Sequence, residues 1–277
     1  MTQDVSAHYE QTGLLDRLLA ALREAGKDLD RLTIYDLAPL DEFHSRRRKA
    51  TEELGQLLAP SDTDHVIDIG SGIGGPARYL AATYGCRISG IDLTPAFVDA
   101  ATGLTRLTGL TDRVDFRVAS ALSLPFPDAS FDLAWSQNVA MNIEDRSAWY
   151  AEIRRVLKPG GRLAIQDVTQ GPGGPIPFPV MWADRPEISF LRTPEETRAL
   201  LEAAGFTVLK WADMTDVAMA EVAAERARLG SASRPGSRPV LGIHVVVGPS
   251  FRDRMRNGNR AQEEGRTRLI NAVLRRD

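Results

Sequence analysis

The stretch Val66-Ile-Asp-Ile-Gly-Ser-Gly-Ile-Gly-Gly75 decides the fold of this 277-residue chain. Its first half is apolar and β-branched, and its second half is rich in glycine and leads into Pro76-Ala-Arg-Tyr-Leu-Ala-Ala82. This order predicts a buried strand, a tight turn and the start of a helix. Glycine lets the backbone approach a ligand closely, and the free N–H groups of the helix point into the same space. A ligand is therefore expected over the glycines.

Asp68 determines which ligand this turn favours. Gly70, Gly72 and Gly75 also satisfy the G-x-G-x-x-G spacing of dinucleotide sites. The Asp68 carboxylate, two residues before the first glycine, repels a pyrophosphate and attracts an ammonium or sulfonium group. Asp92 follows a second apolar run, 86–91, where an acid accepts both hydroxyls of a ribose. The two acids together favour a positively charged nucleoside ligand.

Four segments in this order resemble the class I S-adenosylmethionine-dependent methyltransferases. They are Asp68-Ile-Gly-Ser-Gly-Ile-Gly-Gly75, Gly90-Ile-Asp-Leu93, Leu124-Pro-Phe-Pro-Asp-Ala-Ser-Phe-Asp132 and Leu157-Lys-Pro-Gly-Gly-Arg-Leu163. The resemblance covers about residues 60–167 and implies S-adenosyl-L-methionine as the cofactor. The cofactor-binding residues it implies are Asp68, Gly70, Ser71, Gly72, Gly74, Asp92, Leu93, Ser120, Ala121 and Gln137. Ser120 departs from the family pattern, which most often has an acid there.

The alternation of apolar runs with helical segments predicts the α/β class. Five strands are expected near residues 64–69, 86–91, 114–118, 131–136 and 161–166. The resemblance implies a Rossmann-like, seven-stranded, mostly parallel sheet with helices on both faces. Residues 1–60 are expected to form a helical cover segment, and residues 61–277 the methyltransferase core.

Composition excludes several classes of protein. The net charge of −3 argues against nucleic acid as the main partner, and a single cysteine excludes an internal disulfide framework. The sequence contains no run of about 18 apolar residues, so no membrane span is predicted. We expect a cytoplasmic protein with no membrane partner and no metal, as a monomer or a homodimer.

The cover segment contributes three candidate residues for the acceptor site. Leu14, Leu18 and Leu22 follow helical spacing, and residues 35–46 are expected to form a loop. The resemblance implies that such a segment lines the acceptor pocket. Tyr35 and His44 are candidate proton acceptors, and Arg46 is a candidate partner for an acceptor carboxylate.

Further candidates follow the fourth and fifth strands, because ligands of parallel sheets lie at the carboxyl ends of the strands. Asn138 is expected at the reacting centre. Trp135 is a candidate for holding a cation by cation–π attraction. Met141 is expected among the acceptor contacts, and Asp167 is predicted either to bind a cationic acceptor or to cap the next turn.

The C-terminal third is predicted from composition and periodicity. Residues 170–192 are rich in proline and glycine and are expected to form a lid loop that brings Trp182 to the pocket. A helix is predicted over 215–229, a flexible connector over 231–239 and an antiparallel seventh strand over 240–247. The segment from Ser250 onward is predicted to be a basic amphipathic helix.

The acceptor is less well specified than the donor, because methyl transfer depends mainly on positioning and exclusion of water. The sequence resembles bacterial small-molecule methyltransferases similar to the sarcosine and dimethylglycine N-methyltransferases, which implies an amino-acid amine. A bulkier natural product, quinone or polyketide acceptor of O- or C-methylation is an alternative. An NAD-dependent oxidoreductase and a non-catalytic cofactor-binding protein are the alternatives outside the methyltransferases.

Overall fold

A computed structural model describes residues 13–42, 44–232 and 241–277. Seven strands form one sheet with the order β3-β2-β1-β4-β5-β7-β6. The strands are β1 His65–Ile69, β2 Arg87–Asp92, β3 Val114–Val118, β4 Phe131–Gln137, β5 Leu157–Gln170, β6 Phe206–Asp213 and β7 Thr267–Arg276. Strands β1 to β5 pair in parallel, and β7 is antiparallel to both β5 and β6. The predicted Rossmann-like fold class is confirmed.

Helices cover both faces of the sheet. They are α1 Leu14–Glu24, α2 Ile34–Asp41, α3 Arg47–Leu58, α4 Gly75–Tyr84, α5 Pro95–Leu107, α6 Arg146–Val156, α7 Pro194–Ala203, α8 Thr215–Ala232, α9 His244–Val247 and α10 Phe251–Glu263. On one face, Trp149 and Ile153 of α6 pack against Ile67 of β1. On the other face, Leu54 of α3 and Leu80 of α4 pack in the same core as Val66. Neighbouring β1 residues therefore serve opposite cores.

The N-terminal segment contains more helix than expected. Helix α1 buries Leu14, Leu18 and Leu22, as its spacing predicts. The predicted loop over 35–46 is wrong for its first half, because residues 34–41 form α2. Thr33 and Asp36 cap this helix reciprocally, and the Thr-x-x-Asp spacing is the sequence signal for that capping box.

The C-terminal third differs most from expectation. The predicted strand over 240–247 is wrong, since residues 244–247 form the short helix α9 and Val240 lies outside the described residues. Most of the predicted connector over 231–239 also lies outside them. The predicted closing helix ends at Glu263, and Gly265 adopts a φ of +65° that helices use at their C-terminal ends. The seventh strand is instead β7, whose buried run 269–274 lies between two strands and is apolar except at Asn271.

The predicted inserted helix is present as α8, and Thr193 caps α7 through its bond with the Glu196 amide. No helix in the described ranges combines the length and apolarity that crossing a membrane requires.

Candidate active site

A cavity of about 240 Å³ opens at the carboxyl ends of β1, β2 and β4. Its lining comes from the glycine turn after β1, from Asp92 and Leu93 after β2, and from residues 137–139 after β4. Parallel strands place their carboxyl ends at one edge of a sheet, which explains why segments far apart in sequence meet here. The cover segment closes one side with Asp41 and His44.

The glycine turn is held rigidly beneath this cavity. The amides of Gly70 and Ser71 both donate to the carbonyl of Ile91, at 2.8 and 2.9 Å. Gly70 has a φ of +73°, and a Cβ there would lie 2.4 Å from Val139 Cγ2. Only glycine meets both conditions without strain. Gly74 is a packing position instead, because it is absent from the cavity lining and its Cβ would lie 2.6 Å from the Phe116 ring.

Asp68 presents a buried carboxylate to the cavity. The residue is 2% exposed, and its Oδ2 has no hydrogen-bond partner within the described chain. Burial, together with the nearby charges of Asp92 and Glu42, raises the pKa of Asp68 to about 8. A positively charged group placed beside Asp68 would reverse this effect by stabilising the ionised form. The site therefore favours a cation at the end of β1.

Asp92 fixes the second half of the turn. Its Oδ2 accepts from the Gly72 amide at 2.9 Å, and its Oδ1 accepts from the Thr94 amide at 2.9 Å. Burial raises the pKa of Asp92 despite these bonds. Each carboxylate oxygen retains a further lone pair, so Asp92 can accept additional hydrogen bonds from a ligand.

The region beside Asp92 is largely apolar. Leu93, Phe97, Ala119, Ala121 and Leu122 line it. Ser120 also lines the cavity, and its hydroxyl accepts from the Leu122 amide at 3.2 Å. A flat aromatic ligand fits a wall of this composition.

The end of β4 contributes three of the predicted residues. Trp135, Gln137 and Asn138 all line the cavity. Both polar atoms of the Gln137 side-chain amide are hydrogen-bonded within the protein. Its Oε1 accepts from Trp135 Nε1 at 3.0 Å, and its Nε2 donates to Gln166 at 3.2 Å. Asn138 has a φ of +54°, a conformation that asparagine tolerates better than most residues, and its Oδ1 has no partner in the described chain.

His44 lies at the cavity wall within a buried hydrogen-bond network. Its Nε2 is 2.8 Å from Glu42 Oε2, and its Nδ1 is 3.2 Å from the Ser45 carbonyl oxygen. Thr51 Oγ1 donates to the same Glu42 oxygen at 2.9 Å. Burial opposes ionisation of Glu42, but its contacts with His44, Arg48 and Thr51 outweigh burial and lower the pKa of Glu42. Glu42 is therefore an anion that faces the imidazole.

Two candidates of the cover segment do not reach the cavity. Tyr35 is 71% exposed and is absent from the lining. The Arg46 side chain is 1% exposed and makes charged hydrogen bonds to Glu53 and Glu221. The expectations of proton transfer by Tyr35 and of carboxylate binding by Arg46 are therefore contradicted by their positions.

Three further candidates also lie outside the lining. Asp167 Oδ1 accepts from the amides of Val139 and Ala140 at 3.1 Å each, so it holds the turn after β4 and not the turn that follows Asp167 itself. Trp182 Nε1 donates to Ser189 at 2.9 Å, and Trp182 shares a core with Met141. The 170–192 segment is anchored through this core, and within it only Phe190 lines the cavity.

Sequence reasoning missed Asp41, Glu42 and Phe190. Asp41 lines the cavity and forms a buried ion pair with Arg78 at 2.7 Å. The pair Asp41-Glu42 comes just before His44 in the sequence. Two adjacent acids beside a candidate base are a pattern that could have marked both acids as site residues. Phe190 is brought in by a long loop, and no local pattern marks it.

The charge of the cavity wall is one-sided. Aspartates and Glu144 line it, whereas no lysine or arginine of the described ranges does. His44 is the basic side chain among the lining residues. The wall thus suits a positive or neutral ligand and disfavours an anionic one.

Comparison with known proteins identifies the family. A methyltransferase-domain model matches residues 67–165. The O-methyltransferase resE of Aspergillus sclerotiorum is 32% identical over 215 residues, which cover 77% of this chain and 79% of the relative. The chain belongs to the S-adenosylmethionine-dependent methyltransferases. The oxidoreductase and non-catalytic alternatives are thereby set aside, and the predicted cofactor of this methyltransferase is confirmed.

Two other matches extend the comparison. The methyltransferase is 40% identical over 121 residues to the 2-methyl-6-phytyl-1,4-hydroquinone methyltransferase of Synechocystis sp., a match that covers 44% of this chain and 36% of the relative. A solved structure from Galdieria sulphuraria, assigned as a sarcosine dimethylglycine methyltransferase, aligns with a TM-score of 0.66 at 23% identity. That alignment covers 83% of this chain and 86% of the other and shows a shared fold.

Proposed function

We propose that this methyltransferase transfers a methyl group to the hydroxyl oxygen of an apolar acceptor, such as a phenol, a hydroquinone or an enolic polyketide. The observation that carries the proposal is the cavity wall, where His44 stands among acids and no lysine or arginine of the described residues is present. An amino-acid acceptor would bring a carboxylate next to aspartates with no cation to pair it. A neutral hydroxyl carries no such cost.

The cavity residues fit the proposed donor. When bound, S-adenosylmethionine supplies an electrophilic methyl group, and its transfer to oxygen leaves the bonding electron pair on sulfur as neutral S-adenosylhomocysteine. The unpartnered Oδ2 of Asp68 is suited to the α-ammonium group, and the unpartnered Ser71 hydroxyl can donate to the α-carboxylate. Asp92 is suited to the ribose hydroxyls, and the apolar wall near Leu93 and Ala121 to adenine.

His44 is proposed as the general base. With its Nε2–H held by Glu42, the neutral imidazole has its lone pair on Nδ1, which faces the Ser45 carbonyl oxygen at 3.2 Å and turns toward the acceptor to take the hydroxyl proton as the oxygen attacks. The new Nδ1–H can then donate to the Ser45 carbonyl, 3.2 Å away, while Glu42 stabilises the imidazolium. The positive charge thus moves from the donor to a histidine that already faces an anion.

The relatives support this acceptor class. The resE relative is named as an O-methyltransferase, and the Synechocystis relative acts on a hydroquinone by its name. An amine acceptor is the second candidate, because Trp135 and the acids of the wall can hold a cation. The carboxylate of an amino-acid acceptor would lack a partner, because Arg46 is hydrogen-bonded to Glu53 and Glu221.

A panel of acceptors with methyl-labelled S-adenosylmethionine tests the proposal. We expect label in 2,3-dimethyl-1,4-hydroquinone or a related phenol, located on oxygen by mass spectrometry, and none in sarcosine or dimethylglycine. His44→Gln should lower kcat by roughly 10²- to 10⁴-fold, the usual contribution of a general base. S-adenosylhomocysteine affinity should not change. Methylation of the two amines alone would refute the proposal.

A further inference from the structure

The turn that carries His44 has a backbone conformation that its residues disfavour. Arg46 has a φ of +64° and Arg47 a φ of +49°, so two consecutive non-glycine residues are left-handed. The Arg47 amide donates to the His44 carbonyl at 3.2 Å, which closes the turn immediately before α3. Residues persist in such conformations only where surrounding contacts enforce them.

The enforcing contacts come from Arg46. Its Nη1 and Nη2 donate to the two carboxylate oxygens of Glu53 at 2.7 and 2.9 Å. Its Nε and Nη2 donate to the two oxygens of Glu221 at 3.0 and 2.9 Å. The guanidinium is therefore bound by two carboxylates, one from α3 and one from the inserted helix α8, and its side chain is 1% exposed. We call Arg46, Glu53 and Glu221 the arginine clamp.

The clamped turn lies directly between α8 and the cavity. Ser45 Oγ accepts from Asn138 Nδ2 at 3.3 Å, and His44 contacts Glu42 and Thr51. Asn138 and His44 both line the cavity, whereas Arg46 does not. A change in the backbone at 46–47 would therefore move the imidazole relative to both the acceptor and Glu42.

We propose that Arg46 is a positioning residue, whose clamp on Glu53 and Glu221 holds the left-handed turn and thereby fixes His44 against Glu42 at the cavity wall. This deepens the proposed function, and its catalytic consequence rests on His44 acting as the base. It also gives α8 a role at the active site without any contact between α8 and the acceptor.

Two substitutions in the full chain separate the clamp from the backbone. Arg46→Met removes the clamp and keeps the strain of a non-glycine residue in the left-handed conformation, whereas Arg47→Gly relieves strain in the same turn and leaves the clamp in place. The readout is the ¹⁵N and ¹³C NMR spectrum of the four histidines in labelled protein saturated with S-adenosylhomocysteine, with His44 assigned through His44→Gln. This measurement requires no acceptor.

The clamp predicts different spectra for the two variants. In the wild type and in Arg47→Gly, the neutral His44 ring should carry its proton on Nε2, because the Glu42 carboxylate at 2.8 Å is a stronger acceptor than the Ser45 carbonyl that faces Nδ1 at 3.2 Å. In Arg46→Met, the His44 signals should shift toward a mixture of the two tautomers. Unchanged His44 signals in Arg46→Met, or equal changes in both variants, would overturn the proposal. If Arg46→Met does not fold, Glu221→Gln supplies the weaker perturbation, and Lys49→Ala is its control, since Lys49 contacts Glu221 from the surface.

Turnover separates this inference from the proposed function. With 2,3-dimethyl-1,4-hydroquinone as acceptor, Arg46→Met should lower kcat by roughly ten- to a hundredfold, as expected for a displaced catalytic group, while Arg47→Gly keeps wild-type kcat. Arg46→Lys should restore part of the loss. Wild-type turnover in His44→Gln would refute the base and leave the NMR test of the clamp intact. Loss of turnover in His44→Gln but not in Arg46→Met would refute the positioning role alone.

Discussion

Asp68 should make cofactor affinity depend on pH. Burial, with the charges of Asp92 and Glu42, raises the pKa of Asp68 to about 8. Near neutral pH the free protein therefore carries mostly protonated Asp68, and a ligand bearing an ammonium group must ionise it on binding. The proton is released to solvent, so affinity rises as pH rises toward the pKa of the free protein.

The size of the effect follows from the raised pKa. For one group that titrates near pH 8 when free and well below pH 6 when bound, affinity rises about ninefold between pH 6 and pH 7. Calorimetry with S-adenosylhomocysteine at both pH values should measure this rise. Buffers with different ionisation enthalpies should give different heats, because about one proton is released for each ligand bound.

Asp68→Asn is the matched variant for this prediction. It should bind S-adenosylhomocysteine more weakly and lose the part of the pH dependence that Asp68 contributes, so that any remainder reports Asp92 and the other acids of the wall. Equal affinity of the wild type at both pH values, with heats independent of the buffer, would refute the reasoning.

The raised pKa of Asp68 also affects the stability of the free protein. A raised carboxyl pKa costs stability as pH rises from 3.8 toward 8, on the order of 1.4 kcal/mol for each unit. Without cofactor at pH 8, Asp68→Asn should therefore melt at a higher temperature than the wild type.

Three further predictions concern the cavity and its support. Asp92→Ala should weaken S-adenosylhomocysteine binding by roughly 1–3 kcal/mol in calorimetry, through lost hydrogen bonds to the ligand and to the turn; unchanged affinity would contradict its ribose role. Gly70→Val should abolish binding in the same assay with the fold retained by circular dichroism, because its Cβ would lie 2.4 Å from Val139 Cγ2 at a φ of +73°. Arg78→Met should lower the free energy of unfolding by about 3–5 kcal/mol in urea, because it removes the nearer of the two arginines that pair the buried Asp41 carboxylate, at 2.7 Å against 4.0 Å for Arg48. Adding Asp41→Asn should recover much of that loss, and no recovery would exclude the lost ion pair as its cause.

The donor half of the site was predictable because its signals are local. The strand, turn and helix around Gly70 lie within one short stretch, and Asp68 and Asp92 follow strands whose order determines where they meet. Strand β7 was not predictable in the same way. Leu269, Ile270, Val273 and Leu274 fit helical spacing as well as a strand that is buried on both faces, and only its place between β5 and β6 resolves the ambiguity.

The acceptor half depends on contacts between distant residues. Arg46 meets Glu221 across 175 positions of sequence, and no spacing rule relates the two. His44 was identified as a candidate base, but the orientation of its ring depends on Glu42, Thr51 and the left-handed turn, none of which has a periodic signature. From sequence alone, an arginine near a predicted pocket is a candidate for binding an anionic substrate. Only the tertiary structure shows that two carboxylates already bind the guanidinium of Arg46.

The position of β7 in the sheet affects how the chain folds while it is being synthesised. Within the described residues, β6 is hydrogen-bonded to β7 alone, yet β6 leaves the ribosome more than fifty residues earlier. Until Thr267–Arg276 has emerged, β5 and β6 each present an open edge that can pair with another nascent chain. Arginines at 268, 275 and 276 flank the apolar centre of β7, and charges in such flanking positions oppose intermolecular strand pairing while the sheet is incomplete.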